Sequence, residues 1–115
     1  QNVVLDGLLF ALAYGEVDRA LAAKAGPTVS MLTRFQAEWF VDSSKWVDSV
    51  MKIAAAESAD NKALLNGWVA HWRARGIEAL APIASLALGD GADAAMARVA
   101  ALLDARLAKA GLGAA

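Results

Sequence analysis

Apolar residues recur along this chain at spacings of three and four, the period of one helix face, and almost nowhere alternate singly as a half-buried strand would. Leu5, Leu8, Leu9, Leu12, Val17 and Leu21 predict a first helix from about Asn2 to Lys24, interrupted by Gly7 and Gly15. Helix-interior glycine costs roughly 1 kcal/mol relative to alanine, so each glycine either faces a close neighbour or marks a break near Tyr14-Gly15. Gly26-Pro27 stops the segment, and Thr28 is a suitable N-cap for a second helix to about Glu57. Val29, Leu32, Phe35, Trp39, Phe40, Trp46, Val47, Val50 and Ile53 fill one side of it. Arg34, Glu38, Lys45, Asp48 and Lys52 fill the other, where Arg34 with Glu38 and Asp48 with Lys52 have the spacing of solvent-side pairs.

Ser58-Ala59-Asp60-Asn61 reads as a turn and cap, followed by Leu64, Leu65, Trp68, Trp72, Ile77 and Leu80 on a third helix. Pro82 removes a backbone donor, so the stretch to Leu88 is a bent continuation or a separate short helix. Gly89-Asp90-Gly91 ends it. The last helix runs from about Ala92 to Lys109, with Met96, Val99, Leu102, Leu103 and Leu107 on one stripe and Gly111 as its C′ residue. No repeat or long linker divides the chain, so residues 1–115 read as one all-α domain, a bundle of four to five helices.

Composition sharpens this picture. The 58% share of hydrophobic residues is mostly Ala and Leu, which favours helix over sheet. The 11 Lys plus Arg and 12 Asp plus Glu are interleaved, so no field gathers phosphates or anionic lipid, and nucleic acid is a poor partner. The longest apolar runs, Leu8 to Tyr14 and Ala79 to Gly89, fall short of the roughly 20 residues that span a bilayer, and the chain reads as soluble. With no cysteine there is no disulfide, thiolate nucleophile or zinc-cysteine site, which fits a cytoplasmic protein. The chain opens on Gln1-Asn2-Val3-Val4-Leu5 with helical spacing already under way, as if cut from something longer.

Candidate chemistry is sparse. Helical bundles that hold two irons use carboxylates with Glu-x-x-His pairs, and none of Glu16, Glu38, Glu57 or Glu78 is followed three residues later by His. His71, the single histidine, lies between Ala70 and Trp72 and reads as structural or partly exposed; Ser43, Ser44 and Ser85 have no nucleophile-elbow context. Catalytic, cofactor-binding and metal-ligating residues are therefore expected to be none. The tryptophans stand out: Trp39 and Trp46 share one face of the second helix, and Trp68 and Trp72 one face of the third. They are either the core between these helices or, for some members, anchors of a subunit interface.

Three stretches carry a resemblance. They are Gln1 to Leu9, then Met31-Leu32-Thr33-Arg34-Phe35 through Trp39 to Lys45-Trp46-Val47-Asp48, then Trp68 to Trp72 with Arg75 and Glu78 to Ala84. In order and spacing they resemble the C-terminal part of the β (small) subunit of the hydroxylase component of bacterial multicomponent di-iron monooxygenases, phenol hydroxylase type, over about residues 1–88. Toluene, propane, alkene and soluble methane monooxygenases are related. The resemblance implies a ferritin-like helical subunit without iron ligands, paired with a homologous α subunit that keeps the di-iron centre, with a γ subunit and a coupling protein as further partners. It also implies that the whole complex hydroxylates phenol or a similar hydrocarbon with dioxygen and NAD(P)H, while this chain is a non-catalytic scaffold. Family members carry proline where this chain has Ala74, so the third helix is expected to run straighter there. They are also far longer, and an isolated fragment is expected to expose apolar surface or self-associate. The alternative, from another class, is a small helical interaction module that takes a partner helix or peptide into a groove lined by the tryptophans.

Overall fold

The computed structural model describes residues 1–113, leaving aside the side chains of Val29 and Ser30, so the placement of Val29 on the apolar side lies outside the described residues. The elements are α1 (Asn2–Phe10), a π-helical stretch (Ala11–Val17), α2 (Asp18–Ala25), α3 (Thr28–Glu57), α4 (Ala59–Leu88), a short 3-10 turn (Gly89–Gly91) and α5 (Ala92–Lys109). The all-α expectation holds, and no strand occurs among the described residues. The expected count is corrected: three helices are long, α3 and α4 with 30 residues each and α5 with 18, and the N-terminal segment is two short helices around a π turn.

Local chemistry explains most boundaries. Gly26 ends α2 with φ of 83°, a backbone that L side chains rarely adopt. The cap of α3 is Pro27, whose carbonyl accepts from the Met31 N–H at 3.1 Å, so Thr28 is the first helical residue and not the cap. Ser58, extended at φ −156° and ψ 157°, both ends α3 and caps α4 by accepting from the Asn61 N–H at 3.0 Å. Pro82 neither ends α4 nor splits off a short helix, and the helix continues to Leu88. Both Pro82 and Glu78, whose carbonyl loses its donor, are on the exposed side, where water can serve that carbonyl. At the end of α5 the Gly111 N–H donates to the Ala108 carbonyl and the Leu112 N–H to the Leu107 carbonyl, a Schellman closure around Gly111 at φ 77°. Leu107 and Leu112 are both buried, completing the hydrophobic contact of that motif.

The two N-terminal glycines have different reasons. At Gly7 an added Cβ would stand 3.3 Å from both Leu103 Cδ1 and Arg106 Nη1, so α1 lies close on α5. Gly15 has open space around it and sits in the π stretch, the break expected near Tyr14-Gly15. A straight α-helix turns a four-residue spacing by roughly 40° per step, and the wider π turn offsets this drift. Val4, Leu8, Leu12 and Glu16 consequently stay on the buried side.

The core is the seam where α1 and the π stretch lie against α4 and α5. Leu8, Leu12, Val99 and Leu107 are its largest fully buried side chains, joined by Val4, Val69, Leu80, Met96, Leu103 and Leu112. Gly76 of α4 makes the close approach possible, since a Cβ there would lie 2.6 Å from Leu8 Cδ1 and 3.0 Å from Leu5 Cδ2. Among the described residues α3 contributes only Ala55 to the fully buried set, with Met51 packed alongside. The molecule measures 49 × 27 × 17 Å, and its radius of gyration of 15.2 Å exceeds the roughly 13 Å of a compact chain this long. A slab 17 Å thick is less than two helix diameters, so only one side of most helices finds a neighbour.

Candidate functional site

α3 presents its two sides opposite to the usual order. Its inward positions are small or polar, among them Thr33, Ala37, Ser44, Asp48 and Ala55, with Phe40 and Met51 the larger members. Its outward stripe is the apolar one, with Leu32 at 72% exposure, Phe35 at 73%, Trp39 at 61%, Trp46 at 73% and Ile53 at 70%. Of the described side chains grouped as one apolar side, only Phe40 and Val47 turn partly inward. The wheel located the apolar side but not its environment, because no element among the described residues packs on it.

Polar contacts hold α3 instead. Asp48, expected to pair with Lys52 on the solvent side, takes a two-pronged salt bridge from Arg106 of α5, with Nη2 at 2.6 Å and Nε at 2.9 Å. The Arg106 guanidinium also lies 5.7 Å over the Phe40 ring, which stacks on Phe10 of α1 at 4.4 Å and 7°. Closer to the start of α3, the Thr33 hydroxyl donates to the Asp18 carboxylate of α2. The Arg34–Glu38 pair forms as expected, exposed and at 3.0 Å.

Two acids are buried among the described residues, Glu16 and Asp18. Glu16 receives both prongs of Arg98 at 2.9 Å and a longer contact from Arg19 at 3.5 Å. The hydrogen bond from Arg98 and the charges of both arginines hold its carboxyl below the usual range, against the opposing pull of burial. The sequence carried half of this signal, Arg19 three residues after Glu16; Arg98, 82 positions away, carried none. Asp18 is spent on Thr33 and Glu16 on Arg98, so neither carboxylate is free for other chemistry.

Trp68 is exposed at 55%, on the side of α4 that also shows Leu64, Ile83 and Leu86. Trp72 alone of the four packs half-buried against the core. His71 is exposed and stands edge-on to the Trp72 ring at 5.0 Å. No group of three or more His, Cys, Asp or Glu able to hold a metal occurs among the described residues. Beside the α3 stripe lies a cleft of about 320 Å³, lined by Asn2, Asp6, Phe10, Trp39, Ser43 and Val47 among others. A second, more apolar cleft of about 330 Å³ opens between Phe10, Tyr14, Phe40 and Leu102. Tyr14 and Arg106 are the polar side chains of the more apolar cleft, and Asn2, Asp6, Ser43, Ser44 and Arg106 those of the one beside the stripe; the Arg106 Nε and Nη2 are committed to Asp48. Among the described residues no helix is long and apolar enough to cross a membrane.

Comparison with known proteins gives this geometry its context. The family described as Methane/Phenol/Alkene Hydroxylase matches residues 1–58, the stretch from α1 through α3. The phenol 2-monooxygenase oxygenase component DmpL of Pseudomonas sp. (strain CF600) is 40% identical over 112 residues, covering 97% of this chain and 33% of that protein. The oxygenase component MhpL of the phenol 2-monooxygenase of Acinetobacter pittii (strain PHEA-2) is 41% identical over 88 residues, 76% of this chain and 26% of that one. The chain thus spans a third or less of the length of these curated relatives. No solved structure matches. With the family model covering half the chain and a relative covering nearly all of it, the chain belongs to the methane/phenol/alkene hydroxylase family, on its phenol hydroxylase branch.

Proposed function

We propose that this chain is a scaffold portion, from the C-terminal part of the β subunit, of the hydroxylase of a multicomponent phenol monooxygenase. Its work is contact: in a ferritin-like assembly it buries helix faces against the α subunit, which carries the di-iron centre. The observation that carries this reading is the exposure of large apolar side chains on two long helices, Phe35, Trp39 and Trp46 on α3 and Trp68 and Ile83 on α4. Tryptophan and other large apolar groups in water are costly and are enriched where proteins meet. The donor set of this chain does not fit a carboxylate-bridged iron pair: its buried acids are held by Arg98 and Thr33, and His71 stands beside an aromatic ring. Oxygen activation therefore belongs to the partner, and hydroxylation of phenol with dioxygen and NAD(P)H to the cytoplasmic complex with its γ subunit and coupling protein.

Co-expression with the α subunit of a phenol hydroxylase tests this. The two chains are expected to co-purify with all iron on α, and Trp68→Glu is expected to reduce recovery. Stoichiometric iron on the isolated chain, or indifference to α, overturns the reading. A second reading, the small interaction module, is favoured by the cleft beside Trp39. It predicts a monomer that ignores α and takes a helical peptide there.

A further inference from the structure

Six of the eleven basic side chains, Arg19, Arg34, Lys45, Arg73, Arg98 and Arg106, are held in ion pairs. Of the five without an ion pair among the described residues, three line one cleft: Lys52 of α3, Lys62 of α4 and Lys109 of α5. All three are exposed. The rest of the lining is alanine and glycine, with Ala55 and Ala110 buried, and no carboxylate joins it. Each lysine lacks a partner on its own helix. Asp48, one turn before Lys52, is taken by Arg106. Asp60 lies two residues before Lys62, a spacing at which side chains do not face each other, and the positions three and four away from Lys62 carry no acid. The same holds for the positions three and four away from Lys109. Glu57, close by in the chain, accepts from the Asn61 side chain.

Helix ends do not neutralise this cluster. α5 finishes at the cleft, where its dipole is worth roughly half a negative charge, and α4 starts there with roughly half a positive one. The two cancel, and Lys62, in the first turn of α4, stands at the helix end that disfavours a cation. A recess lined by one sign of charge focuses its field and draws in the opposite sign. We infer that this cleft is a docking surface for an acidic segment of a protein partner. Asp or Glu side chains of that segment meet the three lysines, and the small alanine and glycine wall lets its backbone come close. Size and charge select the occupant. At about 310 Å³ the cleft is at the small end of ligand sites, with room for a side chain or two. Lysine ammonium groups are flexible point charges that suit scattered carboxylates, whereas the forked guanidinium that matches phosphate is missing from the lining. A nucleic acid or anionic membrane would press its remaining charge on the acids spread over a chain of net charge −1. None of Phe35, Trp39, Trp46, Trp68 or Ile83 lines the cleft, so the docking surface and the oxygenase reading stand or fall separately.

Fluorescence anisotropy of a labelled octaglutamate peptide, titrated with the 115-residue chain, tests this. Saturable one-to-one binding is expected at low ionic strength, and its loss in roughly 1 M salt, where charges are screened beyond about 3 Å. Removing the three charges together, Lys52→Ala with Lys62→Ala and Lys109→Ala, is expected to weaken binding by about tenfold or more. Lys24→Ala with Arg75→Ala takes away the other two unpaired basic groups and is expected to change it by less than about twofold, since neither lines the cleft. Lys52→Glu with Lys62→Glu and Lys109→Glu is expected to turn the preference over to an octalysine peptide, a gain that misfolding would not give. No saturable binding, or equal weakening by the two alanine sets, overturns the inference. So does inorganic phosphate displacing the peptide at equal molar concentration, which would make the cleft a simple anion site. Circular dichroism of each variant reports retained helix, since every substituted position is exposed.

Discussion

At the scale of the residue, Gly76 and Leu8 are the most constrained pair. A Cβ at Gly76 would enter the space of a Leu8 side chain that is fully buried and has no room to retreat. Overpacking costs roughly 1–3 kcal/mol, while alanine returns about 1 kcal/mol of helix propensity. Gly76→Ala is therefore expected to destabilise by about 1 kcal/mol in chemical denaturation. In a Leu8→Ala background, itself costing about 2–5 kcal/mol, the same change becomes stabilising. Additive effects of the two substitutions would contradict the close approach. Glu16 gives a second residue-level expectation. Its folded pKa is depressed by Arg98, so its stabilising contribution is complete above the ordinary value of 4.5 and lost as pH falls from there through the lower folded value. Glu16→Gln is expected to flatten the acid limb of the stability profile below about pH 4.5 while lowering stability at neutral pH.

At the scale of the element, α3 depends on latches in place of a broad apolar seam. Removing Asp48 leaves the Arg106 guanidinium half-buried and unpaired, and Asp48→Ala is expected to cost about 1–3 kcal/mol. A double-mutant cycle with Arg106 measures the latch itself, and a coupling energy near zero would refute it. Gly111→Ala, strained at a positive φ, is expected to cost about 1–2 kcal/mol through the Schellman closure, checked by the thermal midpoint. Local chemistry was legible in the sequence: Gly26, Ser58, the Gly89–Gly91 turn and Gly111 all mark real helix ends, and the range of α5 is as read. The inward side of α3 was not legible, because amphipathic periodicity gives the direction of the apolar stripe and not what stands opposite it. Nor was the Asp48–Arg106 latch, since Lys52, one turn away in sequence, offered the same charge at shorter range. Pro82 left a continuation and a separate short helix both open for a related reason: its cost depends on whether the freed carbonyl faces water, which only the packing of α4 decides.

At the scale of the whole molecule, the thin slab leaves three of four tryptophans in contact with solvent. Trp39→Glu plus Trp46→Glu is expected to lower the binding of an apolar dye relative to the parent chain, because the largest part of the stripe is gone. Equal dye binding would place the apolar surface elsewhere. The family assignment came from short ordered stretches of sequence, whereas the exposed faces, the feature on which the scaffold reading rests, needed three dimensions.

The joint between α3 and α4 has a consequence for how the molecule opens. Two 30-residue helices meet at the single residue Ser58, and only Ala55 and Met51 tie the C-terminal half of α3 into the seam. Swinging α3 outward breaks the Asp48 and Asp18 contacts and the Phe10–Phe40 stack, while the buried seam of α1, α4 and α5 stays closed. In native-state hydrogen exchange the amides of α3 should thus trade their protons together and early, as one unit. Those of α5 around Val99 and Leu107 should wait for the chain to unfold altogether.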